Sequence, residues 1–334
     1  MRAILAPESP GALSITRITT PTPGPGEVLI TVAAAGVNRA DLLQAAGHYP
    51  PPPGASNILG LEVSGTITAL GAGVTSLHLG DQVVALTDSG GYASSVAVPI
   101  KLVLPLPSSM DLVEGAGLME AACTVWSNLF DVARLRDNET ILIHGGSGGI
   151  GSFAIQVAKV SGAKVIATAR TAGRAERCHN LGADHVLAYG DYSAVDGTNN
   201  FAERLPELIG ELTEGHGADV ILDVLGAAAL GANVASLATG GRLVVIGMQQ
   251  GVRAELNLGA LLTKRASVHG TTLRARPLAE KARIINAVYE NLWPMIDQGE
   301  LAPVIHAELP LAQAQEAHDL LKTGEVFGKL VLIP

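Results

Sequence analysis

A chain of 334 residues amounts to about two domains at the usual ~150 residues each, long enough to bury roughly three quarters of the surface it exposes when unfolded. Twenty-two Lys and Arg against 31 Asp and Glu leave a net charge of −9, and no stretch gathers the basic residues into a strip that follows a phosphate backbone, so nucleic acid is not an expected partner. Hydrophobic residues make up 48% of the chain, but Gly, Pro or charge interrupts every apolar run well before the ~20 residues of a membrane-spanning helix, so no membrane partner is expected and the apolar excess belongs to buried core.

From Met1 to about Pro107 short β-branched runs such as Glu27–Val32 and Gln82–Leu86 alternate with Gly and Pro punctuation, which predicts a mostly antiparallel β-domain. Two prolyl segments, Pro21–Gly26 and Pro50–Gly54, make stiff turns that cannot lie in central strands. After about Met110 the strands lose their polar alternation and are separated by helix-length segments, the pattern of parallel βαβ units. The expected strands are Thr140–His144, Lys164–Thr168, His185–Leu187, Asp219–Asp223, Arg242–Ile246 and Ser267–His269, the complement of a doubly wound sheet. Ser193 to Phe201 has the weakest pattern and is expected to be a surface loop. A helical stretch from Leu278 to about Gln298 leads to the short strands Val304–His306 and Lys329–Ile333, which are expected to rejoin the first domain. No internal repeat is present.

The sharpest local signal runs from Ile141 to Gly151, an apolar strand entering G-x-G-x-x-G at Gly146, Gly148 and Gly151 and then the helical Ser152–Lys159. One glycine turns the chain tightly, one lets backbone approach a pyrophosphate, and one lets helix and strand pack closely, with N–H groups at the helix start facing the anion. Ser147, Gly149 and Ile150 complete this loop. The residue that selects the dinucleotide normally stands about 20 positions on, at the end of the next strand. There the chain reads Ala169-Arg170-Thr171, with Arg174 following and no acid to accept from a ribose 2′-hydroxyl. Arg170, Thr171 and Arg174 suit a 2′-phosphate, so NADPH is expected over NADH. A short-chain dehydrogenase is excluded, because none of the five tyrosines is followed four residues later by Lys and about 140 residues precede the glycine loop.

With these motifs the sequence resembles the medium-chain dehydrogenase/reductase superfamily, and within it the zinc-free, zeta-crystallin-like quinone oxidoreductases. The resemblance rests on Gly36-Val-Asn-Arg-Ala-Asp-Leu-Leu43, Tyr49-Pro-Pro-Pro-Pro-Gly54, Leu59-Gly-Leu-Glu-Val-Ser-Gly65, His144–Gly151, Leu262-Thr-Lys-Arg265 with Thr272-Leu-Arg274, and Phe327-Gly-Lys-Leu-Val-Leu332. It implies an α/β fold in which a Rossmann domain, expected over 121–263, joins a GroES-like, mostly β catalytic domain built from 1–120 and 264–334. It also implies a homodimer or homotetramer. Zinc relatives carry Cys, Gly-His-Glu and Cys around a catalytic metal, whereas this chain has Asn38, Leu61 and Glu120 at those positions and only two cysteines, Cys123 and Cys178. No metal is therefore expected. So few cysteines, and no basic-then-apolar leader at Met1, give a reducing, cytoplasmic setting as the expectation.

Carried over by position, the resemblance places Asn38, Asp41 and Tyr49 at the substrate. Thr124, taken as a helix start, and Ser147 approach the nicotinamide and pyrophosphate. Tyr189 lies against adenosine, Leu225, Gly226, Ile246, Gly247 and Met248 under ribose and nicotinamide, and Phe327, Gly328 and Lys329 close the site from the tail. Without a metal, the electrophile has to be activated by conjugation, as in quinones and α,β-unsaturated carbonyls, and the Tyr49 hydroxyl and Asn38 amide are the expected donors to its carbonyl oxygen. An Asx turn or helix cap is an equal reading for Asn38 and Asp41, and a ring stacked on the prolines is one for Tyr49. Two alternatives stand beside quinone or enone reduction: an enoyl-thioester reductase, and a non-catalytic NADPH-binding protein. The histidines, His144 and His269 among them, are read as structural.

Overall fold

The computed structural model describes residues 1–7, 11–192 and 200–334. The chain divides into two compact units, one built from Met1–Cys123 and Leu273–Pro334, the other from Thr124–Thr272.

The first stretch supplies β1 (Arg2–Ile4), β2 (Ile15–Arg17), β3 (Glu27–Val37), β4 (Glu62–Leu70), β5 (Gln82–Leu86), β6 (Ser95–Pro99) and β7 (Val103–Pro105). Strands β1 and β2 form a small antiparallel ribbon, while β4 and β6 both pair antiparallel with β3. Along β3 the side chains of Val28, Ile30, Val32 and Ala34 alternate into the core. The strand runs five residues beyond the expected Val32 because its small Ala33–Gly36 segment is held by cross-strand neighbours rather than by its own propensity.

The second unit contains β8 (Thr140–Ile143), β9 (Lys164–Ala169), β10 (His185–Ala188), β11 (Ala218–Asp223), β12 (Leu237–Val245) and β13 (Ser267–Gly270). All pair in parallel in the order β10-β9-β8-β11-β12-β13, so the chain winds outward from β8 in one direction and then, from β11, in the other. Every residue of β8 is buried, as a central strand with helices on both faces requires. Leu142, Ile166, Ile221 and Leu243 meet the helix Phe201–Leu212 through its Phe201, Leu205, Leu208 and Ile209, one apolar stripe at helical spacing. Phe201 thus opens a helix and is buried, and does not belong to a loop; residues 193–199 of the expected loop lie outside the described residues. Because β13 pairs with β12 from Ser267 to Gly270, the second unit extends through Thr272, and the chain enters the first again at Leu273 rather than at 264.

On its return the expected helical stretch is broken beside Pro294 into two helices, Leu278–Asn291 and Trp293–Asp297, since Pro294 lacks the N–H that would continue the first. Strands β14 (Ile305–Pro310) and β15 (Lys329–Ile333) are parallel to each other, joined through the helix Ala314–Thr323, and β15 pairs antiparallel with the end of β3. The first unit's sheet therefore has seven strands drawn from both ends of the chain. Among the described residues no helix is long and apolar enough to cross a membrane.

Gly36, the penultimate residue of β3, leaves no room for a side chain. A Cβ there would fall 2.6 Å from the carbonyl oxygen of Ala116 and inside contact distance of the Glu62 carboxylate. Gly36→Ala should therefore destabilise the fold by about 1–3 kcal/mol, read as a lowered midpoint in thermal or urea denaturation.

Candidate active site

In the second unit the glycine loop forms the turn between β8 and the helix Gly149–Val160. Gly145 has φ +68°, and Gly148 caps the helix in an extended conformation. A Cβ on Gly151 would collide with the Gly145 carbonyl oxygen, so the helix start can lie this close to the loop only because Gly151 has none. Thr168, at the end of β9, holds the loop. Its hydroxyl accepts the Gly145 N–H at 3.1 Å and its carbonyl the Gly146 N–H at 2.9 Å. His144 extends this brace, with Nδ1 3.3 Å from the Thr168 hydroxyl and Nε2 2.8 Å from Asn233 Oδ1. Burial pulls its pKa down, against the opposing charge of Asp223, so the imidazole is a neutral strut. The first N–H groups of the helix have no intrahelical acceptor and face the loop mouth.

The other candidate cofactor residues follow the C-terminal ends of β9, β10, β11 and β12, and in an all-parallel sheet those ends share one edge, where β8 and β11 mark the reversal of winding. At the end of β9, Arg170 is exposed and Thr171 is the N-cap of the helix Ala172–Asn180. The Arg174 guanidinium donates to Ser147 Oγ at 3.2 Å, which brings a cation to the glycine loop. Tyr189 packs near Phe201, ring centres 6.0 Å apart. The Asp223 carboxylate accepts from the N–H groups of Leu225 (2.8 Å) and Gly226 (3.0 Å), fixing the loop after β11. Gly247 lies against Val224, whose carbonyl oxygen would be 2.9 Å from a Cβ there, and Met248 beside it is 60% exposed. Thr124 is not at a helix start. It lies near the end of the helix Met119–Trp126, and its carbonyl accepts from the Asn128 side chain at 2.7 Å.

In the first unit a buried polar cluster surrounds Asn38. The Lys329 ammonium pairs with Glu62 Oε1 and donates to Asn38 Oδ1 at 2.9 Å. Asn38 Nδ2 donates to the same Glu62 oxygen at 2.9 Å, and Glu62 Oε2 accepts the Glu120 N–H at 2.9 Å. Lys329 is 2% exposed and Glu62 fully buried. The charge of Lys329 is turned inward onto Glu62. Phe327 is also buried, and Gly328, with φ +89°, lies directly against Val304. The positions of the zinc relatives' ligands do not fit a zinc ion here: Leu61 has no donor, and the Asn38 oxygen is already bound to an ammonium that would repel one.

Asn38 is the N-cap of the helix Arg39–Ala45, and its N–H donates to Asp41 Oδ2 at 2.8 Å, so the cap reading of these two residues is the observed arrangement. The Tyr92 hydroxyl, absent from the sequence-based candidates, donates to the same Asp41 oxygen at 3.1 Å and lies 3.2 Å from His318 Nε2. Burial pushes the Asp41 carboxyl up to about 7 and the His318 imidazole down to about 4. Glu120 is pushed up to about 8 by burial and by the charge of Glu62. The Tyr49 ring, half-buried, stands 5.2 Å from the Arg274 guanidinium.

Two family models match the chain: the alcohol dehydrogenase GroES-like domain over residues 24–108, and the zinc-binding dehydrogenase domain over residues 149–290. A mycobacterial protein solved in complex with NADPH is 30% identical and superposes over the whole of both chains with a TM-score of 0.87. The Escherichia coli quinone oxidoreductase complexed with NADPH is 27% identical, again over all of both chains, with a TM-score of 0.86. The phthioceranic/hydroxyphthioceranic acid synthase of Mycobacterium tuberculosis is 34% identical over 314 residues, 93% of this chain but only 14% of the synthase. The chain belongs to the medium-chain dehydrogenase/reductase superfamily, in its zinc-free quinone oxidoreductase group.

Proposed function

We propose that this chain is an NADPH-dependent reductase of conjugated carbonyl compounds, quinones or α,β-unsaturated carbonyls, working without a metal. The observation that carries the reading is Arg174 fixed on Ser147 at the glycine loop, with Arg170 and Thr171 where an NADH-selecting acid would stand. NADPH is a reductant, and the reading is supported by relatives solved with NADPH.

The residues fit that coenzyme. The backbone of 145–151 and the start of the helix Gly149–Val160 would hold the pyrophosphate, and Arg174 with Arg170 and Thr171 the 2′-phosphate. When bound, NADPH supplies a hydride. Hydride arriving at a quinone ring or enone β-carbon moves negative charge onto the carbonyl oxygen, so a positioned donor at that oxygen lowers the barrier, by about 3 kcal/mol per donor. The donor we assign is the Tyr49 hydroxyl. Asn38 has one N–H of its amide on Glu62 and its oxygen on Lys329, so its task is to shape the wall. Asp41 is fully buried and supports Asn38 and Tyr92 rather than touching substrate. Solvent supplies the proton that completes the product.

Reduction of an enoyl thioester is the second reading, favoured by the match to a segment of an acid synthase. A panel of ortho-quinones, para-quinones, short enones and crotonyl-CoA with NADPH and NADH separates the two. NADPH oxidation that requires a quinone or enone and ignores crotonyl-CoA supports the first; turnover of crotonyl-CoA alone overturns it.

Arg174→Ala should raise the KM for NADPH about tenfold or more while leaving that for NADH nearly unchanged; equal effects on both would remove the 2′-phosphate assignment. Tyr49→Phe should lower kcat by about 100-fold with the KM for NADPH unaltered, and a loss smaller than about twofold would reduce Tyr49 to a lining residue.

Asp41 also fixes a pH dependence. Its pKa rises on folding from 3.8 to about 7, so its contribution to stability is complete below the lower value and is lost as pH climbs through the upper one. The change is on the order of 4 kcal/mol. Asp41→Asn keeps an acceptor for the Asn38 N–H and cannot ionise. It should flatten the decline in melting temperature between about pH 5 and 8, measured by calorimetry across that range.

A further inference from the structure

Backbone hydrogen bonds from the Ala46, Gly47 and His48 N–H groups to the Leu42, Gln44 and Leu43 carbonyls tie the start of the turn that carries Tyr49 to the helix before it. After the helix Arg39–Ala45 the chain passes through Gly47 at φ +76° to His48 and Tyr49, then into the prolines 50–53. Residues 46–48 are exposed. One side chain grips the turn on both sides. The Arg274 guanidinium donates from Nη2 to Gln44 Oε1 at 2.7 Å, before the turn, and from Nη1 to the Tyr49 carbonyl at 3.3 Å, after it. Its carbon centre lies 5.2 Å from the centre of the Tyr49 ring. Its Nε donates to the Asp88 carbonyl at 2.6 Å, which fixes the guanidinium from behind. Lys281 closes the frame by donating to the Asp88 carboxylate and, at 3.5 Å, to the Arg274 carbonyl. Arg274 is 5% and Lys281 3% exposed.

Tying three loops together does not by itself need a guanidinium, because neutral amides make such bonds without the cost of burying charge. What a guanidinium adds is a rigid plane that donates in three directions and offers a cationic face to an aromatic ring. We propose that Arg274 is a positioning residue for catalysis: it sets the direction of the Tyr49 ring, and so of the hydroxyl at its tip, by holding Gln44 and the Tyr49 carbonyl in one plane and supporting the ring on its charge. It touches neither substrate nor coenzyme in this assignment, and acts only through Tyr49. The inference rests on Tyr49 being the donor proposed above.

A double-mutant cycle on the full chain tests it, with kcat for the best acceptor of the panel, the KM for NADPH, and the melting temperature measured for Arg274→Lys, Tyr49→Phe and the pair. Lysine keeps the charge and loses the plane. In the wild-type background Arg274→Lys should lower kcat about tenfold or more with the KM for NADPH within about twofold. In the Tyr49→Phe background, where there is no hydroxyl to aim, the same change should cost less than about twofold. A merely structural arginine would lower the melting temperature and depress kcat alike in both backgrounds, and that result overturns the proposal. If Tyr49→Phe itself leaves kcat within about twofold of wild type, the donor reading falls, and this inference with it. Should Arg274→Lys not fold, Gln44→Leu, which removes one acceptor of the clamp, goes through the same cycle, and an effect that does not vanish with Tyr49→Phe rejects the assignment.

Discussion

The first unit is organised around one buried ion pair, Lys329 with Glu62. Both ions have left water, and the pair is sustained by hydrogen bonds on both of them: Asn38 bridges the two charges, and the Glu120 N–H takes the second carboxylate oxygen. Removing either ion would leave the other buried and uncompensated, a far larger penalty than the pair's own net contribution. Its geometry dictates what surrounds it. Gly36 has to be bare to admit the carboxylate, β15 must reach β3 to deliver the ammonium, and the helix Arg39–Ala45 must start where Asn38 can bridge. Where zinc relatives hold a catalytic ion, this chain holds an ammonium bound to Glu62 and Asn38. On the proposed function, activation of the substrate is left to its own conjugation and to hydrogen-bond donors.

Around that pair the unit favours the uncharged forms of Asp41, Glu120 and His318. Asp41 and Glu120 hold their protons more tightly than free carboxyls, and His318 releases its proton more readily than free imidazole, each chiefly because burial penalises the ion. The second unit is built differently. Its loops converge because parallel strands end on one edge, and the braces that shape them, Thr168 under the glycine loop and Asp223 under Leu225 and Gly226, accept backbone N–H groups of those loops.

Much of this was legible in the sequence wherever the cause is local. Apolar runs without alternation predicted the six parallel strands, and glycine spacing located the coenzyme loop. The missing acid after Ala169 pointed to Arg170, Thr171 and Arg174, of which Arg174 is set on Ser147 at the glycine loop. What escaped is long-range. β3 ends at Val37 because of partners from other segments, Lys329 finds Glu62 across 267 residues, and Tyr92 joins Asp41 across 51. No spacing rule encodes such pairs. Thr124 was misplaced for a related reason: the helix starts at Met119, five residues earlier, inside a stretch so uniformly apolar that its phase is unreadable. Arg274 stood in a recognisable string with no hint that its target was Tyr49.

The first unit is sewn from both ends of the chain, whereas the second is one continuous segment. The Lys329 ammonium reaches Asn38 across 291 residues, and the final strand fills a place beside β3 that stays open until then. On a ribosome the second unit can close while its companion waits, an unpaired carboxylate and a bare sheet edge exposed, for residues 329–333 to emerge. Maturation of the first unit is thus timed by the synthesis of β15, and a chaperone would find its client in that interval.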